Sequence, residues 1–252
     1  MSKFVTYKNP IPSYIICAII YNHLRKEDHT IQTDLDNLKE TATLFLYLNI
    51  QPTEIPGIVQ HPIFNSDTVA IGNKLVNVFT DKETVIDSYK AKINAITSIN
   101  EFFYIIRKSY YLTFLKFTKP YLSAQDFSYL LGEAWTQEEA PNDDVNVPVS
   151  LSTKWFKSAD KQSLMNEEEH QTYQQLPETF TVYRGVTPGH NPSGLSWTTS
   201  LEKAKWFANR FGEGYIRQGT ANKSDVLAYF SGRGSEEEIV ISPKSLQDLI
   251  TL

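Results

Sequence analysis

Thr179-Phe-Thr-Val-Tyr-Arg-Gly185 decides how this chain is read. Its residues alternate, with Phe180, Val182 and Arg184 on one face and Thr181 and Tyr183 on the other, which is the period of a β-strand. Arg184 therefore leaves the end of the strand on the same face as two apolar side chains. Downstream, Leu195-Ser-Trp-Thr198, Asp225-Val-Leu-Ala-Tyr-Phe230 and Glu238-Ile-Val-Ile-Ser242 read as further strands, separated by glycine-containing turns. One helix is expected among them. Thr199 and Glu202 have the spacing of a capping box, Leu201, Ala204, Phe207, Ala208 and Phe211 form an apolar stripe, and Gly212 supplies a stop.

Before Pro177 the period changes. From Ile11 to about Leu122 apolar residues recur at three and four, which predicts a helical bundle. Ile31, Leu35, Leu38, Thr41, Ala42, Leu44, Leu46 and Leu48 predict one amphipathic helix, and Val85, Tyr89, Ile93, Ile96 and Ile99 another. Residues 14–21 predict a buried helix, too short for the ~20 residues of a bilayer span. Pro52, Pro56, Gly57 and Pro62 mark a break, and Pro120 closes the aromatic segment that follows. That segment, 101–117, interleaves aromatics with Arg107, Lys108 and Lys116. Its composition allows a stacking platform for single-stranded nucleic acid, but a core helix with solvated lysines is the favoured reading. The acidic stretch Gln137-Glu-Glu-Ala-Pro-Asn-Asp-Asp-Val-Asn146 reads as a surface loop, with a loose domain boundary near it. Glu167-Glu-Glu-His170 reads as a solvated helix face; the five histidines lack ligand-like spacing, so no metal is expected. The fold class that follows is α+β, with a helical N-terminal region over 1–124 and a β-containing domain over 125–252.

The 252 residues, 41% hydrophobic and 21% charged, suffice for a sizeable core. A formal charge of −5 argues against indiscriminate binding to phosphate backbones, while leaving room for a local basic groove. The lone cysteine, Cys17, excludes an intrachain disulfide and reads as a small buried apolar side chain in a reducing compartment. The opening residues lack the pattern of a secretory signal, so a cytoplasmic protein without a membrane span is expected.

Three short motifs stand at strand edges in a fixed order: Tyr183-Arg184-Gly185, Ser196-Trp-Thr-Thr-Ser200 and Glu236-Glu-Glu-Ile-Val-Ile241. This order resembles the arginine, Ser-Thr-Ser, Glu-X-Glu signature of the ADP-ribosyltransferase superfamily, which includes bacterial arginine-modifying toxins and phage-encoded transferases. The runs Val-Tyr-Arg-Gly, Leu-Ser-Trp-Thr, Ala-Lys-Trp-Phe-Ala and Ala-Tyr-Phe-Ser-Gly-Arg are similar to a bacterial and phage subgroup of it. The resemblance covers roughly the last third to half of the chain. It implies a C-terminal ADP-ribosyltransferase-like fold of two small packed β-sheets with flanking helices, and NAD as co-substrate.

Cleaving the bond between nicotinamide and ribose puts positive charge on the sugar, so a carboxylate must face it. The resemblance gives that role to Glu238. It gives Glu236, on the same side of an extended segment, the general-base task toward the acceptor. Arg184 offers a planar charged fork for a phosphate of the dinucleotide, and Gly185 beside it would let nicotinamide approach the backbone. Tyr183 packs as core or covers the cofactor. Thr198 aligns with the first serine of the Ser-Thr-Ser segment, whose hydroxyl orients the catalytic glutamate in the family; Ser196 competes for that hydrogen bond. Thr199 and Ser200 are expected to cap the following helix and brace the cleft. The aromatic that stacks on nicotinamide is left open among Trp197, Phe207 and Phe211.

The function implied is mono-ADP-ribosyl transfer from NAD to a macromolecular acceptor, a protein arginine or a nucleic acid. The Glu-X-Glu form leans toward arginine. A toxin or effector role, in toxin–antitoxin or antiphage systems, is a family-level expectation, and would make the helical half a surface for the acceptor or a neutralising antitoxin protein. The rivals are an NAD glycohydrolase and a catalytically silent binding module of the same fold.

Overall fold

The computed structural model describes residues 32–232 and 237–252. The helix expected over 14–21, Cys17, Ile31 and Glu236 lie outside the described residues. The chain divides into two compact units, 1–126 and 127–252.

In the first unit, helix α1 (Leu35–Leu46) begins where Asp34 accepts the backbone N–H of Asn37 at 3.1 Å, and buries Leu38, Ala42, Phe45 and Leu46. Two antiparallel hairpins follow where the sequence suggested only a break: β1 (Gln51–Pro52) with β2 (Val59–Gln60), and β3 (Thr68–Ile71) with β4 (Lys74–Asn77). The second closes through Gly72-Asn73, a two-residue connection of the primed-turn type. Helix α2 (Lys82–Asn94) stops short of Ile96 and Ile99, because Ser98 and Glu101 form a capping box that starts a new turn. The aromatic segment is split between α3 (Phe102–Ile105) and α4 (Tyr111–Thr118). It is core: Phe102, Tyr110, Tyr111, Phe114 and Phe117 are buried, and Phe45 meets Phe114 and Phe117 edge-on at 5.8 and 6.1 Å.

Helix α5 (Ala124–Gln137) leads into the second unit, followed by α6 (Val149–Ser158), α7 (Lys161–Leu164) and α8 (Glu167–Gln175). The remaining elements are β5 (Thr179–Val186), β6 (Ser196–Thr198), α9 (Leu201–Asn209), β7 (Tyr215–Asn222), β8 (Val226–Phe230), β9 (Glu238–Ile241) and β10 (Gln247–Thr251). The six strands form one hydrogen-bonded order, β10-β7-β5-β6-β9-β8. It consists of two three-stranded halves that meet at a single register pair, Tyr183↔Thr198. The α+β class is that expected from the sequence. Strands β7 and β10 were not anticipated, although β7 pairs with β5 along eight residues; its sequence, Tyr-Ile-Arg-Gln-Gly-Thr-Ala-Asn, lacks apolar alternation.

Helix α9 is capped by Ser200, whose Oγ accepts from the Lys203 N–H at 3.3 Å; of the two residues expected to cap it, Thr199 and Ser200, the second does so, and the Thr199–Glu202 capping box is not formed. Glu169 departs from the expected solvated face: it is buried, completes a capping box with Asn166, and accepts from the N–H and Oγ of Ser231 at 2.9 and 3.1 Å. It thereby pins the end of β8. No helix among the described residues is long and apolar enough to cross a membrane.

Candidate active site

The register of three antiparallel strands puts Tyr183, Thr198 and Glu238 in one row, since Thr198 is the cross-strand neighbour of both others. Opposed residues in such pairs share a face. Within the second unit, a cavity of ≈170 Å³ opens over this row. Tyr183, Arg184, Gly185, Ser196, Trp197, Thr198 and Glu238 all line it. Ser200 does not, being occupied with the cap of α9, and Glu236 lies outside the described residues.

Arg184 is 9% exposed. Its Nη1 donates to the Ser196 carbonyl at 2.7 Å and its Nη2 to the Asn191 carbonyl at 2.9 Å, while its Nε has no partner among the described residues. It makes no ion pair among the described residues. Burial pulls its pKa down to about 10, opposed by the charges of Asp143 and Glu238, so it stays a cation at neutral pH. The Thr187 hydroxyl, lining the same cavity, is also buried without a partner. Gly194 seats the guanidinium, since a Cβ there would stand 2.4 Å from Nη2.

Gly185 lines the cavity, and its missing side chain also has a packing role. A Cβ on it would meet the Ala204 carbonyl oxygen at 2.1 Å and the Ala208 nitrogen at 2.5 Å. The missing side chain thus makes room for helix α9 on strand β5.

The Thr198 hydroxyl accepts from the Ser200 N–H at 3.2 Å and, among the described residues, makes no hydrogen bond with Glu238. Ser196 Oγ accepts from Asn142 Nδ2 at 2.8 Å and, among the described residues, makes no hydrogen bond with the carboxylate. A donor to Glu238 comes from elsewhere: the indole Nε1 of Trp135 on α5 lies 2.8 Å from its Oε1. The intervening Glu237 turns aside, with φ 51° and its carboxylate 2.9 Å from Lys203 Nζ.

Sequence reasoning missed Trp135, Asn142, Asp143, Thr187 and His190, all of which line the cavity. The acidic loop supplies two of them. Asn142 is buried, accepts the Leu195 N–H at 2.6 Å and so fixes the start of β6. Asp143 accepts the Asn191 N–H at 2.8 Å and contacts His190 Nδ1 at 2.5 Å. Pro141-Asn-Asp-Asp carries only a turn signal, which says nothing of its partners. Of the three aromatics left open, Trp197 is core, with Nε1 donating to the Gly194 carbonyl at 3.2 Å, whereas Phe211 is 63% exposed and stacks on His190. Among the described residues no cluster of three or more His, Cys, Asp or Glu side chains is placed to hold a metal.

The cavity therefore combines a desolvated cation with an unmet donor, a carboxylate oriented by an indole, and a histidine–aspartate pair. Such a site can hold an anionic group and steady positive charge a short way off. No family model matches the chain, and neither a curated protein nor a solved structure does.

Proposed function

We propose that this chain is an NAD-dependent mono-ADP-ribosyltransferase that transfers ADP-ribose to a macromolecular acceptor. The observation that carries the reading is the buried Arg184, whose Nε lacks a partner among the described residues, in the same cavity as Glu238. A buried guanidinium without a carboxylate favours an anionic ligand, and the unpartnered Thr187 hydroxyl adds a second donor. The pyrophosphate of NAD fits these groups. Phe211, exposed at the cavity, offers a ring face for a planar part of the ligand.

NAD supplies a glycosidic bond whose rupture leaves a cationic ribose and neutral nicotinamide. Glu238 steadies that cation, which is greater in the transition state than in bound NAD, and so lowers the barrier. The acceptor then bonds to the ribose carbon and gives up its proton, a task assigned to Glu236. A toxin or effector role, a neutralising partner and a cytoplasmic setting belong to the same reading.

Incubation of the purified chain with labelled NAD and a cell lysate tests it, with protein and RNA fractions counted separately. Label in one fraction, lost on E238Q, is expected. Free ADP-ribose without labelled macromolecule would replace the transferase by a glycohydrolase. Absence of NAD binding in calorimetry would overturn both and leave a binding module.

A further inference from the structure

We infer that Trp135 is the positioning residue of Glu238, its indole N–H holding the carboxylate in one orientation. The inference rests on the reading of Glu238 as the group that steadies the ribose cation.

Trp135 is 1% exposed. Its ring meets Phe156 of α6 at 4.9 Å and 89°, and Phe156 in turn lies 6.4 Å from Phe230. Phe230 is the cross-strand neighbour of Glu238. The indole is thus fixed by packing at its ring and by Oε1 of Glu238 at its N–H, 2.8 Å away. A buried indole N–H requires an acceptor, and here the acceptor is the carboxylate.

The choice of donor matters chemically. An indole N–H only donates, so it cannot reverse direction as a hydroxyl can or exchange protons as imidazole does. A neutral donor favours the charged form of the carboxylate and sets its direction. It does so without cancelling the negative charge, as a lysine or arginine at hydrogen-bond distance would. A carboxylate that must meet a transient cation needs both properties, orientation and undiminished charge. The hydroxyls of Thr198 and Ser196 accept from the Ser200 N–H and from Asn142 Nδ2 and, among the described residues, make no hydrogen bond to Glu238.

Nuclear magnetic resonance of the full chain labelled with ¹⁵N reads the contact directly, because four tryptophans give separable indole N–H signals. The signal lost in W135F is that of Trp135. It is expected to move on E238Q and, in the native chain, to follow the titration of one carboxyl group; an unmoved signal overturns the inference. In steady-state nicotinamide release, W135F should lower kcat about 10- to 100-fold, with KM for NAD changed by no more than about threefold. The acid limb of its kcat profile should move up, since the carboxylate has lost a donor. F156L loosens the same packing but keeps the N–H, and should lower thermal stability without moving the acid limb. Equal losses of kcat in W135F and F156L with neither acid limb displaced would make Trp135 merely structural. If the native chain releases no nicotinamide, the transferase reading falls, and the resonance shift still decides whether Trp135 holds Glu238.

Discussion

A guanidinium stripped of water and given two carbonyl oxygens but no carboxylate keeps much of its charge available, and among the described residues Arg184 is in that condition. Lysine would preserve the charge but not the planar fork that reaches both carbonyls and still presents Nε. R184K should therefore weaken NAD binding about 10- to 100-fold by calorimetry; unchanged affinity would remove Arg184 from the ligand site. Glu238 differs in kind, because its proposed work is done in the transition state. E238Q should cut nicotinamide release by a factor on the order of 100 to 1000, with NAD affinity kept within about threefold. Strong residual release would end its catalytic assignment.

At the scale of elements, the contact that shapes the cavity is that of helix α9 with strand β5. Gly185 lets the helix backbone come so close that an added methyl would overlap the Ala204 carbonyl. Relief requires the helix to move, since backbone cannot rotate away as a side-chain tip does. G185A should cost about 3 kcal/mol or more, seen as a lowered thermal midpoint, together with weaker NAD binding as Phe207 and Phe211 shift with the helix. A variant of native stability would show that α9 has room to spare. The Ser200 cap and the Asn142 clamp on the Leu195 N–H set the two ends of β6 in the same way, so the row Tyr183, Thr198, Glu238 depends on loops as much as on strands.

Over the whole molecule, stability in acid is governed in part by His61, far in sequence from the cavity. It is buried, and its Nδ1 accepts the N–H groups of Ile63 and Phe64 at 3.1 and 3.2 Å, which suits only the neutral ring. Burial pushes its pKa from 6.5 down to about 3. Above pH ~6.5 both folded and unfolded forms are neutral there and the full stability is present. As pH falls below that value the unfolded chain takes up a proton that the folded chain refuses, so stability declines until pH ~3, by an amount on the order of 4 kcal/mol. Urea unfolding followed by circular dichroism across this window should show the decline. H61N keeps a short acceptor for the two N–H groups without titrating, and should flatten it; an unaltered slope would exonerate His61.

The residue order by itself determined where β5, β6, β8 and β9 run, where α9 begins within a residue and ends within about two, and which motifs stand at the strand edges. Alternation and capping are local, so a few neighbouring side chains suffice to specify them. The hairpins of the first unit and strands β7 and β10 escaped because their residues alternate weakly and owe their form to partners. Only tertiary packing decided that Trp135 comes to Glu238 and Asn142 to Ser196, that Thr198 serves a backbone N–H, and that Gly185 faces a helix. A periodic pattern states which face is apolar, but the identity of what covers that face is fixed by contacts among residues far apart in the chain.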